Sequence, residues 1–313
     1  MGAHGMLLDE DLDDDPDGDA MDSEDLADFA YALTPEHFIR FERRGPQLLV
    51  SFEGVQGQET PLSSRRPRLD ALAREQDWSV LSLVSQGLSY FRAPEIVTFF
   101  DALVDGTLLD QFDDVLFYGA GAGGHAALSY ALTAPGCRVL ALSPQVAVGP
   151  EAAEWDGRNR ALRKVQTGGR YLPVPANLLA AQKVYVAHDA ASPEDRRHAG
   201  LLDGPSVVHL RARYLGADLE EALIEFGVLD DLVAAAMAGT LDPLGFARAL
   251  RARRDNPAYL RRIVSRLIDA ERPVLEALVV RNVATRTGRQ RYAKRYEKLA
   301  ARLAQRGIRV PGA

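Results

Sequence analysis

Short apolar runs alternate with longer amphipathic segments along the chain from residue 48 to residue 227. The runs are rich in β-branched and large apolar residues, which is typical of strands buried on both faces of a sheet. They are "DWSVLSLVS" (77–85), "DDVLFYG" (113–119), "RVLALSPQ" (138–145), "KVYVAHDA" (183–190) and "SVVHLRARY" (206–214). Between them, helices are predicted over "PEIVTFFDALVDGTLL" (94–109), over "GGHAALSYALTA" (123–134) and from about Pro193.

Two further strands are predicted before these runs. They are "HFIRFERRG" (37–45) and "PQLLVSFEG" (46–54), and the turn residues Gly45 and Pro46 between them predict a hairpin. The alternation of strands and helices that follows predicts an α/β fold with a mostly parallel, doubly wound sheet. Ligands of such sheets bind at the carboxyl ends of the strands.

Charge divides the chain into three parts. Residues 1–28 hold twelve acids and no Lys or Arg, so they bury too little apolar surface to fold and are predicted to be a disordered acidic tail. Residues 29–230 form the predicted α/β domain, with a small insertion at 146–182. Residues 231–313 are predicted to form a basic helical extension, since the stretch 251–313 carries seventeen Lys or Arg against five acids.

Composition excludes several classes of protein. The chain has 313 residues and a net charge of -7, and no apolar run reaches the roughly 18 to 20 residues of a membrane helix. The first residues lack the basic and apolar regions of a secretory signal. Cys137 is the only cysteine, which excludes an internal disulfide and a cysteine-built zinc site. The histidines follow no metal-ligand spacing, so a cytoplasmic protein without a metal or cofactor is predicted.

The stretch "VLFYGAGAGGHAAL" (115–128) carries the chemistry that the sequence offers, and it has two interpretations. As G-x-G-x-x-G, with Gly119, Gly121 and Gly124, it would cradle the phosphates of a nucleotide. That site requires an acid about 20 residues later to hold the ribose. The next predicted strand ends "ALSPQ", without an acid, so the nucleotide interpretation is the less favoured one.

The second interpretation uses the whole region from about residue 46 to 230, which resembles the α/β-hydrolase family. In that family the nucleophile sits in a turn written G-x-S-x-G after the fifth strand. Gly119 and Gly123 match the two glycines, and Gly121 stands where the serine would be. The resemblance implies that Asp189 is the triad acid and that Ala217 lies near the position of the triad histidine. The chain thus resembles a degenerate member that lacks both nucleophile and base.

The resemblance also implies a ligand site at the turn, formed by Gly119, Gly121, Ala122, Gly123 and His125. The backbone N–H of Ala122 would belong to the oxyanion hole. A helix N-terminus attracts anions, so a small anion is a possible ligand there.

A displaced catalytic triad is the alternative arrangement of this region. It would combine Ser143 with Asp189 and with either His125 or His188.

The basic C-terminal segment has an apolar stripe formed by Tyr292, Tyr296, Leu299 and Leu303. Their spacing places them on one face of a helix. This pattern fits a helix that docks on the body of the protein and turns its basic face to solvent. It also fits a binding site for an anionic partner, which includes the chain's own acidic tail. No specific nucleic-acid motif accompanies it.

These observations favour a non-catalytic binding or interaction protein with an α/β-hydrolase-like fold, because Gly121 and the missing late histidine do not support serine-hydrolase chemistry. The alternatives are a hydrolase or acyl transferase with a rearranged site and, less favoured, a nucleotide binder.

Overall fold

The computed structural model describes residues 27–55, 61–87, 89–158, 163–165, 167–173, 175–216 and 218–311. The centre of the fold is an eight-stranded sheet in the order β1-β2-β4-β3-β5-β6-β7-β8. β2 pairs antiparallel with β1 and β4, and all other neighbours are parallel. This order and direction define a sheet of α/β-hydrolase type. The strands are β1 (Phe29–Thr34), β2 (His37–Glu42), β3 (Gln47–Val55), β4 (Ser79–Gln86), β5 (Asp114–Ala120), β6 (Arg138–Leu142), β7 (Lys183–Asp189) and β8 (Val207–Ala212).

Helices cover both faces of the sheet and continue beyond it. They are α1 (Asp70–Glu75), α2 (Pro94–Asp105), α3 (Ala122–Tyr130), α4 (Pro150–Trp155), α5 (Pro175–Leu178), α6 (Pro193–Ala199), α7 (Leu219–Glu225), α8 (Leu229–Met237), α9 (Pro243–Ala249), α10 (Pro257–Asp269), α11 (Pro273–Thr287) and α12 (Gln290–Gln305). Several begin with proline at the first helical position, where its missing N–H leaves no bond unmade. The predicted helices at 94, 123 and 193 correspond to α2, α3 and α6.

The predicted hairpin between β2 and β3 is wrong. β4 lies between these two strands, and β2 forms its hairpin with β1 instead. The chain passes the start of β4 at Gly45, whose N–H donates to the carbonyl of Asp77 at 2.9 Å. A Cβ at position 45 would lie 2.2 Å from that oxygen, so this crossing requires glycine. Gly45 and Pro46 do mark a break between two strands, as predicted, but the chain there passes across the start of β4 instead of forming a hairpin.

Each face of the sheet has its own apolar core. One contains side chains of α2 and α3, such as Phe100 and Tyr130, packed on Phe52 and Phe117 of the strands. The other contains α1, α7, α8 and α9 and extends along the chain to Leu250, past the predicted domain boundary at 230. The sheet is therefore doubly wound.

The last three helices form a separate cluster. The apolar stripe of α12 faces inward: Tyr292, Leu299 and Leu303 are buried, and Tyr296 is partly buried against the same cluster. α11 and α12 are joined at Gly288, which is left-handed with φ 65° and ends α11. The stripe thus packs α12 on α10 and α11, while its charged residues remain outside.

Among the described residues, no helix is both long and apolar enough to cross a membrane. Residues 1–26, which hold most of the predicted acidic tail, lie outside the described part of the chain.

Candidate functional site

The site predicted from the glycine-rich stretch lies in the sharp turn between β5 and α3. Gly121 is the single residue between them and has φ 54° and ψ -113°, a conformation that residues with a Cβ rarely adopt. Its N–H donates to the carbonyl of Leu142 at 2.9 Å, and its own carbonyl accepts from Gln145 at 3.2 Å. The turn is thereby attached to β6 and to the segment after it.

The flanking glycines are required by close packing. A Cβ on Gly119 would lie 2.3 Å from the carbonyl carbon and oxygen of Gly123. A Cβ on Gly123 would lie 2.2 Å from the carbonyl oxygen of Phe52 on β3. Gly121 differs, because a Cβ there would meet no atom within 4 Å. The structure therefore leaves room for a side chain at the position that the resemblance assigns to the nucleophile.

A cavity of about 540 Å³ opens above this turn at the carboxyl ends of the strands. Its lining combines the glycine-rich backbone with four apolar side chains larger than alanine (Phe52, Val55, Leu142 and Leu219), two neutral polar ones, four carboxylates and two guanidinium groups. The lining includes Gly121, Ala122, Gly123, Phe52, Leu142, Leu219, Ser143, Gln145, Glu53, Asp218, Glu220, Glu221, Arg68 and Arg158.

None of the histidines that the structure describes lines this cavity. His125 is fully buried in α3, and its Nδ1–H donates to the carbonyl of Gln145 at 2.9 Å. Burial lowers the pKa of His125 to about 4, so it is neutral at physiological pH. His188 is buried against the ring of His209, with 5.7 Å between the ring centres. Burial also lowers the pKa of His188.

The carboxylate of Asp189 is buried at the end of β7 and is fully engaged by the backbone. Its Oδ1 accepts from the N–H of Ala191 at 2.8 Å and of Tyr214 at 3.0 Å. Its Oδ2 accepts from the N–H of Gly216 at 2.9 Å. Asp189 thus fixes the loop after β8, which is where the resemblance implies a triad histidine. The residue at that position, Ala217, lies outside the described residues.

Ser143 lines the cavity beside the turn, and its backbone has φ 41°. Its hydroxyl donates to Oδ2 of Asp195 at 3.1 Å. In the described part of the chain no hydrogen bond joins Ser143 to His125, His188 or Asp189. Neither combination of these side chains is therefore hydrogen-bonded as a triad.

A buried polar network lies behind Arg158, which lines the cavity, and this network was not predicted from the sequence. The guanidinium of Arg158 donates to Asp156 through Nη2 at 2.7 Å and also contacts Asp195. His198 Nδ1 accepts from the N–H of Ala147 at 3.2 Å, so its Nε2 carries the proton and donates to Asp156 at 2.9 Å. Burial would raise the pKa of Asp156, but the hydrogen bonds from Arg158 and His198 lower it to about 2. The network fixes the charge of Arg158 at the wall.

A group of acidic side chains also lines the cavity and was likewise not predicted. Burial, with a contribution from the charge of Glu220, raises the pKa of Glu53 to about 7. Glu220 accepts from the hydroxyl of Tyr118 at 2.5 Å. Arg68 lies 3.6 Å from Glu220 and 3.4 Å from Glu221, so its charge is already offset. Both guanidinium groups of the lining are paired with acids. The cavity therefore disfavours the small anion that was predicted to bind at the N-terminus of α3.

Of the acidic side chains in the lining, Glu53 is the one whose position in the sequence could have indicated a ligand site. It follows the apolar run "LLVSF" directly, at the carboxyl end of a predicted strand, where ligand-binding residues of such sheets occur. Within the described residues, no group of three or more His, Cys, Asp or Glu side chains is arranged to hold a metal ion.

No protein-family model matches the sequence, and no curated protein matches it either. Several solved structures are similar to the chain at low identity. The capsule O-acetyltransferase of Neisseria meningitidis serogroup A is 10% identical, with a TM-score of 0.44, covering 67% of this chain and 97% of that one. Est1E from Butyrivibrio proteoclasticus is 15% identical, with a TM-score of 0.41, covering 67% and 99%.

The Glycosylation Associate Protein (Gap123) complex from Streptococcus agalactiae is a third similar structure. It is 10% identical, with a TM-score of 0.47, and the match covers 69% of this chain and 48% of that one. The assignment of an α/β-hydrolase-type fold rests on the strand order and on the turn at Gly121, which belong to this chain itself.

Proposed function

We propose that this chain is a non-catalytic binding or interaction protein that uses an α/β-hydrolase-type fold. The observation that carries the proposal is Gly121, which has the backbone of a nucleophile turn and no side chain to act as a nucleophile. The space that such a side chain would occupy is empty of protein atoms within 4 Å and opens into the cavity.

The absence of a base supports the same proposal. The sequence has no histidine after His209, so the loop held by Asp189 contains none. In serine hydrolases the nucleophile and the histidine act as a unit, and loss of either typically lowers the rate by about six orders of magnitude. Asp189 itself is engaged by three backbone N–H groups, which gives it a structural reason to be present.

We propose that the cavity binds a small neutral or cationic molecule. Its volume of about 540 Å³ lies within the usual range for small-molecule sites, roughly 300 to 1,000 Å³. Glu53, Glu220 and Glu221 offer acceptors to such a ligand. A cation close to Glu53 would favour the ionised form of that carboxyl.

Labelling with a fluorophosphonate probe and a scan of acyl esters test the lack of catalysis. We expect no labelling and no esterase activity above that of heat-treated protein. Stoichiometric labelling would overturn the proposal and favour the rearranged hydrolase, and Ser143 would then be the residue to identify by mass spectrometry.

A thermal-shift screen of small molecules tests the binding role of the cavity. We expect amines or neutral polyols to raise the melting temperature, and we expect Glu220→Gln to weaken the effect of the amines. A shift produced by nucleotides alone would favour the nucleotide binder instead.

We further propose that the C-terminal helices bind an anionic partner. Lys294, Lys298 and Arg302 are exposed on α12, and Arg306 is exposed directly after it. The stretch 251–313 carries seventeen basic residues against five acids. Binding of a fluorescent polyphosphate should therefore weaken steeply between 0.05 and about 0.2 M salt. A cytoplasmic location remains a prediction from the sequence.

A further inference from the structure

A groove runs between α10 and the start of α12, away from the cavity at Gly121. It consists of two adjoining hollows of about 380 and 490 Å³, which share Arg261 and Arg291. Its floor is apolar, formed by Val264 and the ring of Tyr292, and Ile268 stands at its rim with 46% of its surface exposed. The groove therefore offers both apolar surface and positive charge.

The arginines of this groove are not neutralised locally. Within the described part of the chain, the guanidinium groups of Arg261 and Arg289 form no hydrogen bond or ion pair. The guanidinium of Arg291 contacts only Tyr292, whose ring lies 4.8 Å from it and whose hydroxyl accepts a hydrogen bond at 3.3 Å. Arg295, by contrast, is paired with Glu276. Three guanidinium groups around one groove repel one another, so an acidic occupant would stabilise this surface.

We infer that residues 7–15 of the same chain, "LLDEDLDDD", occupy this groove. The segment combines Leu7, Leu8 and Leu12 with six carboxylates and no basic residue. Its leucines match the apolar floor, and its acids match the arginines at the walls. The inference rests on the proposed interaction role and adds its regulation, because the segment would compete with an external polyanion for the same arginines.

The chain before the described residues is long enough to cross the sheet, which lies between its start and the C-terminal helices. β1 and β8 form the two edges of the sheet, and α9 packs beside β8 on the way to α10. Eight strands at about 4.8 Å spacing separate these edges by about 34 Å. Leu12 precedes Ala27, the first described residue, by 15 positions, which reach about 50 Å when extended.

Hydrogen exchange on the full chain and on a variant lacking residues 1–26 tests the contact. We expect slower exchange over 257–269 and 289–297 in the full chain, and we expect 0.5 M salt to remove most of the difference. Equal exchange in the two proteins at low salt would overturn the inference. A concentration-dependent dimer that needs residues 1–26 would also overturn it, since the occupant would then come from a second copy.

A synthetic peptide of residues 5–20 tests the location in trans on the shortened protein. Arg261→Glu combined with Arg291→Glu should weaken its binding by about tenfold or more. The control is Arg302→Glu with Arg306→Glu, which changes the charge equally at exposed positions at the end of α12, outside the groove. A peptide with serine at Leu7, Leu8 and Leu12 should bind more weakly than the natural sequence.

The outcomes separate this inference from the proposed function. Equal weakening by both charge-reversal pairs would reduce the contact to unspecific attraction and refute the groove as its location. If the shortened protein binds polyphosphate but not the peptide, the interaction role stands and the inference fails. If it binds neither, the proposed anionic partner fails as well.

Discussion

Replacement of Gly121 by serine introduces the side chain that the resemblance to α/β-hydrolases assigns to this position, and its effect on stability follows from the backbone alone. A Cβ at this position meets no atom within 4 Å, so the substitution introduces no clash. The remaining effect is the strain of φ 54° and ψ -113° on a residue with a Cβ, about 1 to 3 kcal/mol. At roughly 2 to 4 °C per kcal/mol, the melting temperature should fall by about 2 to 12 °C.

Two other glycines provide matched controls in a calorimetric or denaturant assay. Gly157→Ser also meets no atom within 4 Å, but its backbone has no positive φ, so its stability should be unchanged. Gly119→Ala places a Cβ 2.3 Å from backbone atoms of Gly123 and should be the most destabilising of the three. A Gly121→Ser protein as stable as Gly157→Ser would show that position 121 carries no strain. Esterase activity in Gly121→Ser would show that a base exists near it.

Three further outcomes follow from the site. The pKa of Glu53 is raised from an ordinary 4.5 to about 7, so the stability it contributes is full below pH 4.5 and is lost as the pH rises to 7. Glu53→Gln should flatten that part of the melting-temperature profile, and an unchanged profile would refute the assignment. Asp189→Ala should destabilise the fold by about 2 kcal/mol or more in urea unfolding, because three partly buried N–H groups lose their acceptor, and Asp189→Asn should destabilise it by less. The imidazole of His125 should show no titration above pH 5 by NMR, since its pKa is about 4.

Local sequence patterns predicted the elements of the sheet well because each strand and helix is defined within a few residues. The apolar run at 115–119 and the glycines after it predicted both β5 and the turn into α3. Pairing between strands is not local. β2 and β3 are neighbours in sequence and their turn residues favoured a hairpin, yet β4 inserts between them.

The composition of the cavity could not be predicted for the same reason. Glu53 and Glu220 lie far apart in sequence and face one space only because β3 and the start of α7 meet at the same end of the sheet. Tyr118 and Glu220 are 102 positions apart and share a hydrogen bond. The position of Asp189 was predicted from the resemblance, whereas its bonds to the loop after β8 depend on the folded backbone.

The packing of Gly119 and Gly123 has a consequence for the interpretation of sequence motifs. These two glycines are imposed by backbone contacts, with β3 touching Gly123, and they would be needed whether or not the protein catalyses anything. In the G-x-S-x-G pattern the two outer glycines therefore indicate the backbone packing of the turn, and the middle residue indicates whether a nucleophile is present. A motif search that tolerates variation at the middle letter will therefore group sequences that share this packing whether or not they carry a nucleophile.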